Sequence, residues 1–303
     1  MSIRKRLFRF GERWRSIPEK FNSIQEALGR IENRQIGQLL ASQISEAEFK
    51  VYSQSGEDGI IQFLVSKVPV SNRRFIEFGV ENYVESNTRF LALNNYWSGL
   101  VIDGDSANIE FVKSDPIYWR CNIKAECSFI TKDNINDLFR RNGITGDIGL
   151  LSIDIDGNDY WVWEAIDCVN PCIIVAEYNS MFGPDRKVTV PYNPAFARSA
   201  AHYTKIFYGA SIAALTHLAN KRGYRLVSSN RSGNNLFFVR KDLMDGLTEL
   251  SEKEAYRPIN FREAHSKEGQ LLYTSFDESK KLIGDEMVHD IESGELVQVK
   301  SLW

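Results

Sequence analysis

The sequence has few cysteines and no long apolar run. Its four cysteines, Cys121, Cys127, Cys168 and Cys172, form neither a disulfide framework nor a paired zinc motif. No apolar stretch reaches the roughly eighteen residues needed to span a membrane. The basic start of the chain lacks the apolar segment of about seven residues or more that a secretory signal requires. We therefore expect a cytoplasmic protein with reduced thiols.

A net positive charge is confined to the first twenty residues. The formal net charge of the 303-residue chain is −3. Residues 1–20 contain seven basic and two acidic side chains, so this arm carries +5 and the remainder −8. A net negative surface repels phosphate backbones, so we expect no nucleic-acid partner. With 43% hydrophobic and 25% charged residues, the chain has globular composition, and its length suggests one large domain with an appendage.

The amino-terminal segment carries apolar residues at alternating spacings of four and three. These are Ile3, Leu7, Phe10, Trp14, Ile17, Phe21, Ile24, Leu28 and Ile31. This heptad pattern is typical of a helix that pairs with another helix. Pro18 and the capping pattern of Ser16 and Glu19 predict a helix restarting at about Ile17 and ending at about Ser42. The helix either packs on its own domain or joins copies into a homo-oligomer.

The basic residues before this helix have two interpretations. They form either a solvated end of the chain or an interfacial helix that places Leu7, Phe10 and Trp14 among lipid headgroups. Arginines would then contact anionic lipid. The second interpretation predicts peripheral contact of residues 1–15 with the inner face of the membrane.

From residue 49 onward, helical and strand patterns alternate five times. Strands are predicted at 74–80, 98–103, 147–154 and 172–177, with another at either 117–121 or 127–130. Helical patterns lie between them. Strands such as 173–177 are apolar on both faces, which indicates a parallel sheet covered by helices on both sides. The predicted fold class is α/β, with a Rossmann-like, doubly wound, mainly parallel sheet.

Acidic and amide side chains follow four of these strands. They are Glu77, Asp103 with Asp105, Asp154 with Asp156, and Glu177 with Asn179. Carboxylates are poor strand residues, and the carboxyl ends of parallel strands meet at one edge of the sheet, where ligands bind. We expect an acidic, glycine-lined crevice there.

The first loop of this crevice favours a nucleoside over a dinucleotide. Asp103, which lies 24 residues after Gly79, is placed to accept both hydroxyls of an adenosine ribose. Residues 77–82 contain one glycine and two acids, which would repel a phosphate. A nucleoside with a cationic centre and no phosphate suits this loop, and S-adenosylmethionine is such a molecule.

The body of the chain resembles the FkbM-like family of SAM-dependent methyltransferases. The likeness covers about residues 50–243. Its motifs are Ser-Gln-Ser-Gly-Glu-Asp at 53–58, Phe-Ile-Glu-Phe-Gly at 75–79, and the segments 101–103, 153–160, 175–179, 208–211, 223–224 and 233–240. The resemblance implies a class I methyltransferase sheet closed by an antiparallel hairpin at 228–240, and O-methylation of a sugar or glycan. It divides the chain into an arm and helical oligomerisation segment (1–45), a methyltransferase domain (46–245) and a carboxy-terminal extension (246–303).

The resemblance also implies roles for individual residues at the cofactor. Glu77 and Gly79 would hold the amino-acid end of S-adenosylmethionine, with Gln54 or Glu57 nearby. At the ribose end, Asp103 would hold the sugar, and Asp105 or its neighbours, Gly104 among them, would flank it. Asp133 and its neighbours would lie beside the adenine.

A sugar hydroxyl is a poor nucleophile at neutral pH, so a base or a metal must assist it. The carboxylates and amide of Asp154, Glu177 and Asn179 suit Mg²⁺ or a similar hard cation. The catalytic candidates are Asp154, Asp156 and His202, the last following an aromatic loop after the fifth strand. Alternatively, Asp154 and Asp156 cap turns and orient the substrate without a metal.

Two other functions fit parts of the sequence. Residues 103–105 and 154–156 are both Asp-X-Asp segments, as a metal-dependent glycosyltransferase would use to hold a sugar-nucleotide diphosphate. A non-catalytic scaffold of a glycan-assembly system would instead depend on the heptad helix.

Overall fold

The computed structural model describes residues 3–303, with side chains from residue 20 onward except that of residue 41. The chain begins with one long helix, α1 (Ile3–Ile36). The predicted insertion of Leu7, Phe10 and Trp14 into a membrane concerns side chains outside the described ones. Among the described residues, no helix combines the length and hydropathy needed to cross a bilayer.

Helices and strands alternate through the body. The elements are α2 (Glu57–Lys67), β1 (Arg74–Phe78), α3 (Arg89–Asn95), β2 (Ser98–Asp103), α4 (Ser106–Ser114), α5 (Pro116–Arg120), β3 (Ile123–Cys127), α6 (Ile135–Arg141), β4 (Gly146–Ile153), α7 (Asp159–Ala165), β5 (Val169–Glu177), β6 (Val188–Thr189), α8 (Arg198–Ala201), α9 (Ile212–Lys221), β7 (Tyr224–Ser229), β8 (Asn235–Arg240), α10 (Glu252–Ala255), α11 (Phe276–Leu282), β9 (Met287–Asp290) and β10 (Leu296–Gln298). Short 3₁₀ helices span Ala41–Glu46, Ser180–Phe182, Lys241–Leu243 and Val299–Leu302.

The main sheet has seven strands in the order β3-β2-β1-β4-β5-β8-β7. Its first five strands are parallel, and β8 runs antiparallel to both β5 and β7. Successive strands are added outward from β1 to β3, and the chain then returns to place β4 on the other side of β1. This reversal opens a crevice at the carboxyl ends of β1 and β4. The predicted fold class, a Rossmann-like doubly wound sheet closed by an antiparallel hairpin, is confirmed.

Helices cover both faces of this sheet because its strands are apolar on both. In β1, Phe75 packs into one core and Ile76 into the other, and both are fully buried. One core includes Trp163 of α7 and Leu215 of α9, whereas the other includes Phe63 of α2. The two-sided burial explains why the strands lack alternating polar residues.

Two local predictions were wrong. The third strand is β3, between the two segments considered, because residues 116–120 form a helix. The Asp115 carboxylate caps this helix by accepting a 2.8 Å hydrogen bond from the Ile117 amide, and Pro116 occupies its first turn. In addition, α1 continues through Pro18 rather than restarting there, and it ends at Ile36 instead of near residue 42. Ile36, the last residue of α1, is buried in the core.

A second, smaller sheet lies beside the crevice. It has the order β10-β9-β6, and all its pairings are antiparallel. Its core joins Phe182 and Val188, which follow β5, to Ile283, Val288 and Val299 from the end of the chain. The residues after 246 therefore share a core with the segment that follows β5. The proposed domain boundaries themselves stay predictions.

Candidate active site

Two connected hollows form a cleft at the carboxyl ends of β1, β2, β4 and β5. The first hollow has a volume of about 190 Å³ and the second about 200 Å³. Gly79, Glu81, Asp154 and Asp156 line both and form their shared border. The cleft lies where the strand order reverses, as the predicted crevice requires.

The first hollow has apolar walls and one acidic edge. Ile102, Phe129, Ile130 and Phe196 supply the apolar surface. Asp103, the last residue of β2, stands at the edge. Its Oδ2 accepts a 2.8 Å hydrogen bond from the Glu81 amide, and its Oδ1 accepts bonds from the Asp105 amide (2.8 Å) and the Asn108 side chain (3.1 Å). The carboxylate is thereby held in one orientation.

The loop after β1 brings backbone close to the cleft. Gly79 has φ of +74°, and a Cβ built there would lie 1.5 Å from the Asp154 carbonyl oxygen. Only glycine fits this close approach. Glu81 and Tyr83 also have positive φ values, +47° and +62°. Such conformations are costly for residues with side chains and cluster at functional sites.

Glu77 anchors the far end of this loop. Its carboxylate accepts hydrogen bonds from the amides of Asn87 (2.8 Å) and Thr88 (3.0 Å) and from the Ser86 hydroxyl (3.0 Å). Burial raises the pKa of Glu77 even though these donors oppose the shift. Glu77 and Gln54 both line the second hollow, so the structure brings these two predicted cofactor residues to the cleft.

Three carboxylates cluster at the second hollow, and two of them, Asp154 and Glu177, line it. One oxygen from each of Asp154, Asp159 and Glu177 lies within 4.8 Å of the other two, and we call these residues the acidic cluster. Asp159, the first residue of α7, accepts backbone bonds from Ile155 (2.8 Å) and Gly157 (2.9 Å). It therefore also fixes the loop that carries Asp154.

Two buried oxygens at this cluster lack hydrogen-bond partners. Glu177 ends β5 and faces Asn235 on the antiparallel strand β8. Both residues are buried, and neither Oε2 of Glu177 nor Oδ1 of Asn235 has a partner. Buried polar atoms are almost always satisfied, so acceptors left open beside a cavity suggest a bound donor or cation.

The cluster strongly favours proton uptake or neutralisation by a cation. Burial raises the pKa of Asp154 well above its usual range, and the charges of Asp156 and Asp159 raise it further. Burial likewise raises the pKa of Glu177, with added repulsion from Asp154. For Asp159, burial raises the pKa to about 6. Three carboxylates cannot all remain ionised at this separation without a compensating positive charge.

Arg198 supplies positive charge at the rim of the second hollow. It forms ion pairs with Asp156 (2.7 Å) and Glu263 (2.6 Å). Its guanidinium carbon lies 3.8 Å from the ring centre of Tyr208, an arrangement that holds the side chain flat. Because Glu263 comes from the carboxy-terminal segment, Arg198 links that segment to the loop after β4.

Four predicted site residues lie outside the cleft lining: Glu57, Asp133, Asn179 and His202. Glu57 is buried and accepts bonds from Asn230 (2.6 Å), Asn235 (3.2 Å) and the Ser55 amide (2.8 Å). Its carboxylate is therefore occupied by the protein. Asp133 is exposed and accepts a bond from the Tyr192 hydroxyl (3.4 Å), whereas Ser128, Phe129 and Ile130 line the cleft from the loop after β3.

Asn179 and His202 have other partners. The Asn179 amide donates 2.9 Å hydrogen bonds to the carbonyls of Ile206 and Tyr208, and its Oδ1 accepts one from the Met181 amide (3.0 Å). This binding pattern gives it a structural role, so Asp159 replaces it in the acidic cluster. The two nitrogens of the His202 ring face the Thr204 hydroxyl (2.6 Å) and the Glu286 carboxylate (3.8 Å), away from the cleft. Gly104 and Asp156, by contrast, line the cleft as predicted.

Four residues of the site were not predicted from the sequence. Arg198, Asn235 and Glu263 line the cleft, whereas Asp159 belongs only to the acidic cluster, and the fold brings their separate segments together. Asp159 belongs to the motif at 153–160, and Asn235 belongs to the motif at 233–240. These two motifs of the family resemblance could therefore have indicated both residues as part of the site. Nothing in the sequence marks Arg198 or Glu263, since their pairing joins residues 65 positions apart.

No family model matches the chain, and no curated protein matches it either. Solved structures similar to it include the N-terminal domain of EvdMO1 with SAH bound (TM-score 0.40, 12% identity, 70% of this chain and 94% of that one). A SAM-dependent methyltransferase from Clostridium acetobutylicum ATCC 824 is similar at TM-score 0.39 and 9% identity, over 73% of this chain and 98% of that one. The O-methyltransferase from Bacillus cereus in complex with SAH is similar at TM-score 0.41 and 10% identity, over 69% and 90%. The fold assignment itself rests on the strand order and registers.

Proposed function

We propose that the protein is a SAM-dependent O-methyltransferase acting on a hydroxyl of a sugar or glycan, as FkbM-like enzymes do. The observation that carries the proposal is the two-part cleft. Its first hollow combines an apolar wall with the Asp103 carboxylate, and its second hollow is lined by Asp154 and Glu177 of the acidic cluster. The doubly wound sheet with its closing hairpin supports the same assignment.

The residues of the first hollow fit an adenosyl group. The Asp103 carboxylate suits ribose hydroxyls, and Phe129 and Ile130 offer a surface for a flat base. Asn158 adds a buried side-chain oxygen that lacks a partner. Among the described residues lining this hollow, none is a lysine or arginine, which favours a nucleoside with a cationic centre over a diphosphate. S-adenosylmethionine supplies the activated methyl group when bound.

The second hollow is suited to a polyhydroxylated acceptor. The carboxylates of Asp154 and Glu177 can accept hydrogen bonds, and Arg198 can donate them. The amide of Asn235 can do both. This mixture of donors and acceptors matches the vicinal hydroxyls of a sugar. Phe261 adds an apolar surface at the same hollow, against which a sugar ring would pack.

We include a divalent cation such as Mg²⁺ in the proposal. The acidic cluster provides oxygen ligands, and a cation would satisfy the unpartnered Oε2 of Glu177 and Oδ1 of Asn235. A cation held there would neutralise the cluster and lower the pKa of an acceptor hydroxyl. Asp159 would contribute mainly by keeping the loop of Asp154 in place.

Cofactor binding is tested with Asp103→Asn and calorimetric titration of S-adenosylhomocysteine. We expect at least a tenfold weaker affinity, since one charge-assisted hydrogen bond is worth about 1.5–3 kcal/mol. Asp105→Asn is the matched control, because Asp105 is exposed and caps α4 through a 2.8 Å bond from the Ala107 amide. Thermal unfolding of both variants checks that the loop remains folded. Equal affinities for the wild type and Asp103→Asn would contradict the assignment.

Methyl transfer is tested with methyl-labelled S-adenosylmethionine and a glycan extract, with and without Mg²⁺. We expect label that resists alkaline hydrolysis, because methyl ethers survive conditions that cleave methyl esters. Transfer without any divalent cation would remove the metal from the proposal but leave the methyltransferase assignment. Absence of transfer to every acceptor tested would count against the enzyme.

The alternative enzyme is a metal-dependent glycosyltransferase. It would need both acids of residues 103–105 at a metal, yet Asp105 accepts the hydrogen bond that caps α4. Titration with UDP-sugars separates the two activities, since tight binding there without any S-adenosylhomocysteine binding would favour this alternative. A non-catalytic scaffold would bind neither ligand.

A further inference from the structure

Helix α1 contacts the body through a face that is largely polar or small. The Gln25 side chain donates to the Val51 carbonyl, and Glu26 accepts a 3.2 Å bond from the Tyr52 hydroxyl. One turn further, a Cβ at Gly29 would lie 2.4 Å from a Val51 methyl carbon and 2.9 Å from the Phe90 ring. The close approach that glycine allows shows that this face is the docked one.

The apolar residues of α1 lie on the other side. Phe21, Ile24, Leu28 and Ile31 are 66%, 57%, 57% and 45% exposed. These are four of the nine positions of the heptad pattern that runs from Ile3 to Ile31 in the sequence, and we call the whole set the seam. Exposed apolar residues in a contiguous row on a helix mark an interaction surface.

The spacing of the apolar residues indicates that the partner covering this exposed row is another helix. Strict alternation of three and four residues produces a narrow stripe, which is the geometry of a coiled coil. Membrane-surface helices instead carry a broader apolar face. Phe21 and Ile24 are 66% and 57% exposed, so the protomer leaves most of this apolar stripe uncovered, and a helix of that kind needs a partner to be stable.

The residue types at the seam favour more than two strands. In heptad terms, Leu7 and Leu28 occupy position a, whereas Ile17, Ile24 and Ile31 occupy position d. Leucine at a with isoleucine at d shifts parallel coiled coils towards trimers and tetramers.

In a parallel arrangement, the residues that flank the seam place no two basic side chains opposite each other. Residues preceding the a positions are Arg6, Arg13, Lys20, Ala27 and Arg34, and those following the d positions are Arg4, Gly11, Pro18, Gln25 and Glu32. The residue before each a position is position g, and the residue after each d position is position e. In a parallel bundle, each g residue faces the e residue of the next heptad, so Lys20 faces Gln25 and Ala27 faces Glu32. An antiparallel arrangement would oppose basic residues with one another at the g positions.

From these observations we propose that the seam joins three or more copies of this chain into a parallel helical bundle. The bundle gathers the basic arms at one end and the methyltransferase-like bodies at the other. This proposal is independent of the reaction, because it uses no residue of the cleft.

The mass of the full chain in solution tests the proposal. Light scattering after gel filtration is expected to give three or four times the protomer mass of 34.7 kDa. Ile24→Glu should reduce it to one protomer, because a charge at the core of the bundle is not tolerated. Asn22→Glu is the matched control: it adds the same charge at an exposed position of the same helix outside the seam and should leave the assembly intact. Since both positions are exposed in the protomer, thermal unfolding should confirm that both variants fold.

Orientation is tested by oxidative cross-linking of Leu28→Cys. Equivalent seam residues meet in a parallel bundle, so covalently linked pairs are expected, whereas Arg30→Cys should give none beyond the level of the wild type. A monomeric or dimeric wild type would overturn the proposal. So would a monomer that sediments with anionic vesicles and loses this property in Ile24→Glu, because the occupant would then be a lipid surface.

Discussion

Glu177 and Asn235 face each other across neighbouring antiparallel strands, and each has one buried side-chain oxygen without a hydrogen-bond partner. The pair stands beside Asp154, whose carboxylate is also buried among acids. Two open acceptors at this position would destabilise the protein unless a ligand satisfies them. Both residues line the second hollow, where the proposed ligand would satisfy these oxygens.

Glu177→Gln should separate ligand binding from folding. The new amide would donate to Asn235 or Asp154 and remove one of the repelling charges, so we expect the free energy of unfolding without metal to rise by about 1 kcal/mol. Affinity for Mg²⁺ or Mn²⁺, measured by calorimetry, should fall at least tenfold. Glu110→Gln, at an exposed position, serves as the control and should change neither quantity. A less stable Glu177→Gln would mean that the carboxylate has a partner inside the protein.

Gly79→Ala should be far more harmful than an alanine at another glycine of positive φ. Gly146 has φ of +72° with nothing within 4 Å of a built Cβ, so Gly146→Ala should cost only the conformational penalty of about 1–2 kcal/mol. Gly79→Ala adds a collision with the Asp154 carbonyl and should exceed that cost by at least about 2 kcal/mol. Urea unfolding of the two variants measures the difference. Equal stabilities would show that the loop after β1 moves freely.

Arg198→Ala should destabilise the protein through Glu263. The substitution leaves Glu263 partly buried without its cation, and we expect a loss of about 2 kcal/mol in unfolding free energy. Adding Glu263→Gln should restore most of it, since a neutral amide needs no counter-charge. Additive losses in the double variant would indicate that the two residues do not interact.

Asp58 should impose a pH dependence on stability. Burial raises the pKa of its carboxyl from 3.8 to about 6, although Oδ2 accepts bonds from the Val51, Tyr52 and Ser53 amides. The folded state therefore holds a proton that the unfolded state releases between about pH 4 and 6. Over this window, Asp58 should lower the unfolding free energy by about 2 kcal/mol as the pH rises.

Asp58→Asn isolates this contribution, because all other titrating groups remain. The difference in unfolding free energy between wild type and variant should change by that amount from pH 4 to pH 6. A constant difference would place the pKa of Asp58 in the ordinary range.

Local patterns predicted most of the sheet and its acidic edge. Buried strands near residues 74–78, 98–103 and 169–177 appear in the sequence as apolar runs, and Asp103 and Glu177 are their final residues. Such patterns involve neighbours along the chain, so they can be recognised without knowing the rest of the fold. The third strand failed because Asp115 and Pro116 start a helix inside an apolar segment that also resembles a strand.

The sequence predicted less well which polar residues belong to the candidate site. Asn179 and Asp159 are both polar residues just beyond strand ends, and spacing alone does not separate them. Packing decides, because the carbonyls of Ile206 and Tyr208 occupy the Asn179 amide, whereas Asp159 begins α7 beside Asp154 and Glu177. His202 similarly follows an aromatic loop, yet its ring faces Thr204 and Glu286.

The order of residues alone therefore sets the alternation of helices and strands, the apolar nature of the sheet and the position of acids at its carboxyl edge, since each depends on short-range patterns. Tertiary packing determines which of those acids meet, which amides are already satisfied, and that Arg198 reaches Glu263 65 residues away. Those contacts depend on how distant segments cross in space, and no spacing rule along the chain encodes that.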